Sequence, residues 1–148
     1  MLAALVADIL SDFTGDDGQP QVIDAYVRRQ AERALPVVAA DVLVSYSLDR
    51  EMVVPAMAAG HRELWALQTK VLVCRHLRSQ AASRVSFSSG DKRMDRSREA
   101  SNWADLEKAF ADEYVERVRR ENPATDDSVM RIDVHPVVFE AGGEVDPC

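Results

Sequence analysis

Residues 85–120 read VSFSSGDKRMDRSREASNWADLEKAFADEYVERVRR, and their pattern sets the fold class of the whole chain. The stretch opens on a β-leaning run, Val85, Ser86 and Phe87, and breaks at Ser88-Ser89-Gly90-Asp91. Lys92, Arg93 and Met94 stand on the far side of that turn-forming cluster, so a small hairpin or loop is expected there. The cleanest amphipathic helix in the chain follows. Asn102 is a good N-cap residue, with Asp105 three positions on and favourably placed against the helix dipole. Trp103, Leu106, Phe110, Tyr114 and Val118 supply an apolar face. On the wet side Lys108 and Asp112, Glu113 and Arg117, and Glu116 and Arg120 are each four residues apart, a spacing that adds a few tenths of a kcal/mol per pair. Asn122-Pro123 stops the helix.

Outward from this stretch the helical pattern repeats. Leu2, Leu5, Val6, Ile9, Leu10 and Phe13 recur at helical spacing and form one stripe, which the glycines at 15 and 18 should end. Pro20 suits a first helical turn, and Val22, Ile23, Tyr26, Val27, Ala31 and Ala34 continue as a second stripe. Pro36 removes a helical hydrogen bond, so this helix is expected to end or kink near Leu35. From Val37 to Tyr46 the β-branched content favours an extended segment, with Asp41 as the cap of a further helical turn in the competing reading. Ser47-Leu48-Asp49-Arg50 reads as a turn. A long helix should run from Pro55 to about Ser83, with Met57, Leu64, Trp65, Leu67, Val71, Leu72 and Cys74 buried on more than one side. Gly60 costs about 1 kcal/mol inside such a helix relative to alanine, and marks either a close crossing or a later start.

The chain has 148 residues, 47% of them apolar and 29% charged, which predicts one folded domain with one core. Its charge of −7 argues against a general nucleic-acid coat, but the charge is uneven. Seven basic residues lie between Arg75 and Arg98 against two acids, and seven acids follow from Glu121 against Arg131 alone. A basic middle and an acidic end can satisfy each other, within a chain or between copies. The last 25 residues are hydrophobically patterned in one place, where Met130, Ile132 and Val134 alternate with polar residues before Pro136, Val137, Val138 and Phe139. A segment so apolar is expected to add to a sheet edge or lie in a groove. The expected architecture is mainly α: a bundle of about four helices over residues 1–123, a short β-hairpin or loop before the last long helix, and an extended C-terminal arm over residues 124–148.

No chemistry stands out. His61, His76 and His135 lack metal-ligand spacing, and Cys74 reads as a small buried apolar residue. Two cysteines make no disulfide framework, in keeping with synthesis in a reducing cytoplasm. No phosphate-cradling glycine motif or nucleophile elbow occurs, and Asp91 and Asp95 sit among cations that keep carboxylates ionised. Neither a catalytic, a cofactor nor a metal site is expected. The apolar run at the N-terminus carries Asp8 and is too short to span a membrane. These residues lead to a soluble, helical protein-interaction module that is not an enzyme.

The run Val85-Ser86-Phe87-Ser88-Ser89-Gly90-Asp91-Lys92-Arg93-Met94-Asp95-Arg96-Ser97, with Trp103-Ala104-Asp105-Leu106-Glu107 after it and the helix from Tyr114 to Arg120, resembles the head-tail adaptor (connector) proteins of tailed bacteriophages. The resemblance covers residues 2–122 and leaves the C-terminal arm unmatched. It implies a structural virion protein at the neck, made in the host cytoplasm, forming a homo-oligomeric ring of about twelve copies by a closed heterologous interface. The ring would sit between the portal protein and the stopper or tail-terminator protein, with packaged DNA only as channel content and no membrane. Asp91, Lys92, Arg93, Asp95 and Arg96 would then serve contacts with the neighbouring copy. Met130, Ile132, Val134, Val137 and Phe139 would reach the portal or an adjacent subunit. A non-viral helical interaction module is the alternative, and a nucleic-acid-binding protein using residues 75–98 is a further one.

Overall fold

In a computed structural model, described over residues 1–15, 18–85 and 92–122, the chain forms four helices and one small antiparallel hairpin. The elements run α1 (Leu2–Asp12), α2 (Asp24–Asp41), β1 (Ser47–Asp49), β2 (Met52–Val54), α3 (Ala59–Val85) and α4 (Lys92–Glu121). The mainly helical class expected from periodicity is the class observed. The longest two helices, α3 and α4, make the most extensive contact, and α2 and then α1 pack on the faces that remain.

α3 is the central helix because its apolar residues are not confined to one stripe. Leu64, Trp65, Leu67, Val71, Val73, Cys74, Leu77 and Ala81 are all buried. Leu2, Leu5, Val6 and Ile9 of α1, with Phe13 just past its end, and Val27, Ala31, Ala34 and Val38 of α2 complete the core. Trp65 is fully buried, and its indole Nε1–H donates to the Ala31 carbonyl of α2 at 2.7 Å. The hydroxyl of Thr69, also fully buried, donates to the Trp65 carbonyl one turn back at 2.7 Å. Both polar groups therefore enter the core already partnered, which avoids the cost of an unmade buried hydrogen bond.

Several local expectations are corrected. α2 starts at Asp24 rather than at Pro20, which instead bridges Thr14 across the preceding loop. It also runs through Pro36 to Asp41. Pro36 and Glu32, whose carbonyl loses its helical partner, are both exposed, so the break in the ladder lies on the solvent side of α2. Of the segment read as extended, Val37 to Asp41 is the last part of α2 and the residues after it are the helix's stop: Leu43 takes φ 56°, its N–H donates to Ala40 O at 3.3 Å, and Val44 N–H donates to Ala39 O at 3.0 Å. This is a Schellman stop with leucine where glycine is usual. Leu43 is 81% exposed and gains little from packing, so Leu43→Gly should relieve left-handed strain and stabilise the protein by about 1 kcal/mol. A rise of the thermal midpoint would register it, and a fall would show that the side chain is needed.

The residues read as a turn, Ser47 to Asp49, are instead strand β1, paired with β2 in the register Ser47 with Val54, Leu48 with Val53 and Asp49 with Met52. The turn is Arg50-Glu51, with Arg50 at φ 55°. Glu51 explains why the hairpin lies where it does. Its carbonyl accepts from Leu2 N–H at 3.1 Å, its carboxylate accepts from Ala3 N–H at 3.1 Å, and Arg28 of α2 pairs with the same carboxylate. A turn acid thus partners the unmet donors at the start of α1, where negative charge also suits the dipole.

α3 begins at Ala59, not Pro55, so Gly60 marks a helix start. It marks a close crossing as well, because a Cβ there would run into the Glu121 carboxylate at the end of α4. α4 begins ten residues before Asn102, which therefore caps nothing, and Asp105 lies in the helix interior rather than in a first turn. The expected second hairpin arm, Lys92 to Met94, is helical, and Val85 ends α3. The composition of residues 92–101, rich in arginine with methionine, glutamate and alanine, favours a helix over a strand. The loop alternative over residues 86–91 lies outside the described residues, as does the C-terminal arm.

Candidate assembly surface

Of the residues expected to make assembly contacts, Lys92, Arg93, Asp95 and Arg96 occupy the first turns of α4. Asp91, Met130, Ile132, Val134, Val137 and Phe139 lie outside the described residues. The helical start matters for the basic group: Arg93 and Arg96 are three apart and so share one face of α4. As α3 and α4 are successive helices packed along each other, Arg84 near the end of α3 joins them at the same end of the bundle.

The first two cations of the basic segment, Arg75 and Arg78, do a different job. Arg75 Nε lies 2.9 Å from Glu107 Oε1, and Arg78 Nη1 lies 2.8 Å from Glu107 Oε2. Glu107 is 8% exposed and faces α3 from α4. The Arg78 contact is an ion pair without hydrogen-bond alignment, so Oε2 has charge compensation but no directed donor. The carboxylate stays buried because two guanidiniums offset its lost hydration. Arg75 and Arg78 therefore clasp α3 to α4 from positions that stay partly open to solvent.

Glu107 was missed from sequence for a definite reason. The inward stripe of α4 is Trp103, Glu107, Phe110, Tyr114 and Val118, and Leu106, expected on it, is 42% exposed. The spacing of 103, 107, 110 and 114 contains a glutamate, and a search for apolar periodicity passes over it in favour of leucine next door. The expected i,i+4 pairs Glu113–Arg117 and Glu116–Arg120 form at 2.8 and 3.1 Å, and Arg117 also pairs with Glu63 of α3.

The opposite end of α4 carries a second polar clasp. Tyr114 Oη donates to Asp41 Oδ2 at 2.5 Å, and Asn122 Nδ2 donates to the Asp41 carbonyl at 2.5 Å. Burial, then the bond to Asp41, pushes the Tyr114 hydroxyl well above its usual range, so it remains a proton donor. Tyr46 Oη and His61 Nδ1 are 2.6 Å apart, and His61 Nε2 lies 3.7 Å from Glu121 Oε2. These groups fix where α4 ends against α2 and α3.

Elsewhere the surface bears large apolar side chains. On β2 Met52 and Val54 face outward at 62% and 50% exposure while Val53 between them is buried. Burial, reinforced by Glu107, raises the Cys74 thiol to about 12, so it is not a thiolate nucleophile at neutral pH. Among the described residues no group of three His, Cys, Asp or Glu side chains is placed to hold a metal ion. No described helix is long and apolar enough to cross a membrane. Comparison with family models, with curated proteins and with solved structures returns no match for the chain.

Proposed function

We propose that the protein is a structural component that assembles into a ring, a head-tail adaptor joining the portal of a tailed bacteriophage to the stopper or tail-terminator proteins. One observation carries the reading. α4, thirty residues and about 45 Å long, starts within the basic group, and its other end, held by the Tyr114 and Asn122 clasp on Asp41, is followed in sequence by the acidic residues 124–148. A ring needs two different faces of one subunit that complement each other around a closed rotation. A rigid helix with cations at one end and an acidic arm at the other provides such a pair of faces, and charge complementarity sets register more than raw affinity. The outward Met52 and Val54 add apolar contact area of the kind that interfaces bury.

In this reading the chain is not an enzyme, and its work is done by position. Arg84, Lys92, Arg93 and Arg96 meet a neighbouring copy, and the apolar arm, Met130 to Phe139, reaches the portal. Cutting the chain after Asn122 should abolish attachment to the portal ring while helicity by circular dichroism stays intact. Unimpaired attachment of the shortened chain would remove the arm from the interface.

A further inference from the structure

Three adjoining cavities, of about 260, 220 and 410 Å³, form one open groove with Gln21 in the wall of each. It runs from Tyr26 and His76 at one end, past Gln80, to Trp103 and Leu106 at the other. Its lining has the two components an extended peptide requires. Tyr26 stacks on His76 with ring centroids 4.0 Å apart, and these rings with Ile23, Trp103 and Leu106 offer apolar surface. Ile23 is 71% exposed and Leu106 42%, so much of that surface is uncovered by the described residues. Gln21, Gln80 and Asn102 offer amides, which can both donate to and accept from a peptide backbone. Glu99 is the acid in the wall. Arg29 and Arg33 lie close enough to Tyr26 to act on its hydroxyl, so two cations stand near that end of the groove without lining it.

We infer that this groove is the docking site of the chain's own C-terminal segment, Met130 to Phe139, bound extended and in cis. Three observations select this occupant. Reach is the first: Asn122 to Leu106 is about 24 Å along α4, and the eight residue steps from Asn122 to Met130 span about 26 Å when extended. Met130 therefore arrives at the Leu106 end, and the ten residues that follow are long enough to cross to Tyr26. Charge is the second. Asp133, Glu140, Glu144 and Asp146 of the arm carry the sign that Arg29 and Arg33 attract, with Arg84 and Arg96 one helical turn beyond Ala81 and Glu99. Tethering is the third, since a short linker holds the segment at an effective concentration on the order of millimolar, which a second copy reaches only in concentrated solution. The alternation of Met130, Ile132 and Val134 then turns one side chain in two toward the groove, and Pro136 keeps the segment extended. The inference describes the free chain and holds whether or not the protein belongs to a virion. Any partner that binds the arm has to take it from this groove, so docking and partner binding compete.

The full chain carrying Cys148→Ser and Ala141→Cys, spin-labelled at position 141, tests it by paramagnetic broadening of backbone amides. Cys74 is buried and does not compete for the label. Broadening should concentrate on Ile23, Tyr26, His76 and Gln80, spare the Asp41 end of α2, and vanish when Val137→Asp and Phe139→Asp are added. A mixture of isotope-labelled chain without the spin label and spin-labelled chain without isotope should show none. Broadening that is absent, unselective or untouched by the two aspartates would overturn the inference. Broadening of equal strength in the mixture would overturn it too, by assigning the groove to a second copy.

Discussion

Trp65→Ala should destabilise the protein by about 3–5 kcal/mol, the range for emptying a large aromatic site in a packed core. Trp65 is the largest fully buried side chain among the described residues and stands where α2, α3 and the α1 layer converge. Its removal leaves a cavity in a close-packed core, which relaxes only in part to fill it. The indole bond to the Ala31 carbonyl is lost as well, although that carbonyl keeps its place in the α2 ladder. Trp65→Phe separates the two effects, since it restores much of the volume without the donor and should recover more than half of the loss. Urea unfolding followed by circular dichroism measures both, and because small domains are stable by only about 5–15 kcal/mol, the alanine variant should approach collapse at room temperature. A loss below about 1 kcal/mol would mean that α2 does not pack on α3 through this residue.

The double reversal Arg93→Glu and Arg96→Glu should weaken ring assembly at least tenfold, about 1.4 kcal/mol in association free energy. Both residues sit in the first two turns of α4 and share a face, so their reversal turns one patch from attraction to repulsion toward an acidic partner. The same substitutions suit the helix: negative charge near an N-terminus is favourable with the macrodipole, so thermal stability should hold or rise slightly. A loss of assembly is thereby separated from a loss of folding. The defect should be larger at low than at high ionic strength, because salt screens exposed charge over about 10 Å at 0.1 M. Assembly unchanged at low salt would exclude this patch from the interface.

How much of this was legible from sequence depends on whether a feature is local. The stripes of α1 and α3 were readable because apolar spacing alone determines which side turns inward, and the core residues of both follow it. The hairpin was not readable: its turn is Arg50-Glu51, without the glycine or asparagine that usually announces a positive φ, and its reason for existing is a long-range one. Glu51 meets the start of α1 and Arg28 of α2, contacts forty-eight and twenty-three positions away. Pro36 misled because a proline costs a helix a bond without always ending it, and here that break lies on the solvent side, away from the buried Ala34, Leu35 and Val38. Asn102 misled because a good cap residue is also tolerated in a helix interior, and seven of the ten residues before it (Lys92, Arg93, Met94, Arg96, Arg98, Glu99 and Ala100) are strong helix formers.

The basic segment was legible as charge but not as two populations. Arg75 and Arg78 both pair with the buried Glu107 of α4, a contact that only side-chain packing reveals. The groove was invisible from sequence altogether. Gln21 comes from the α1–α2 connection, Gln80 from α3 and Trp103 from α4, and no periodicity relates residues on three elements that meet only after folding.

If the protein builds a ring on a portal, the mass of the assembled complex will register it. Native mass measurement of the chain mixed with a purified portal ring should show the portal mass increased by a fixed multiple of the 16.4 kDa subunit, about twelve for a ring that matches the symmetry usual in such necks. The chain alone, with its arm seated in its own groove, should stay a single subunit at the same concentration. A mixture in which the portal mass never changes would contradict the claim, and so would a chain that forms the same closed dimer with and without the portal.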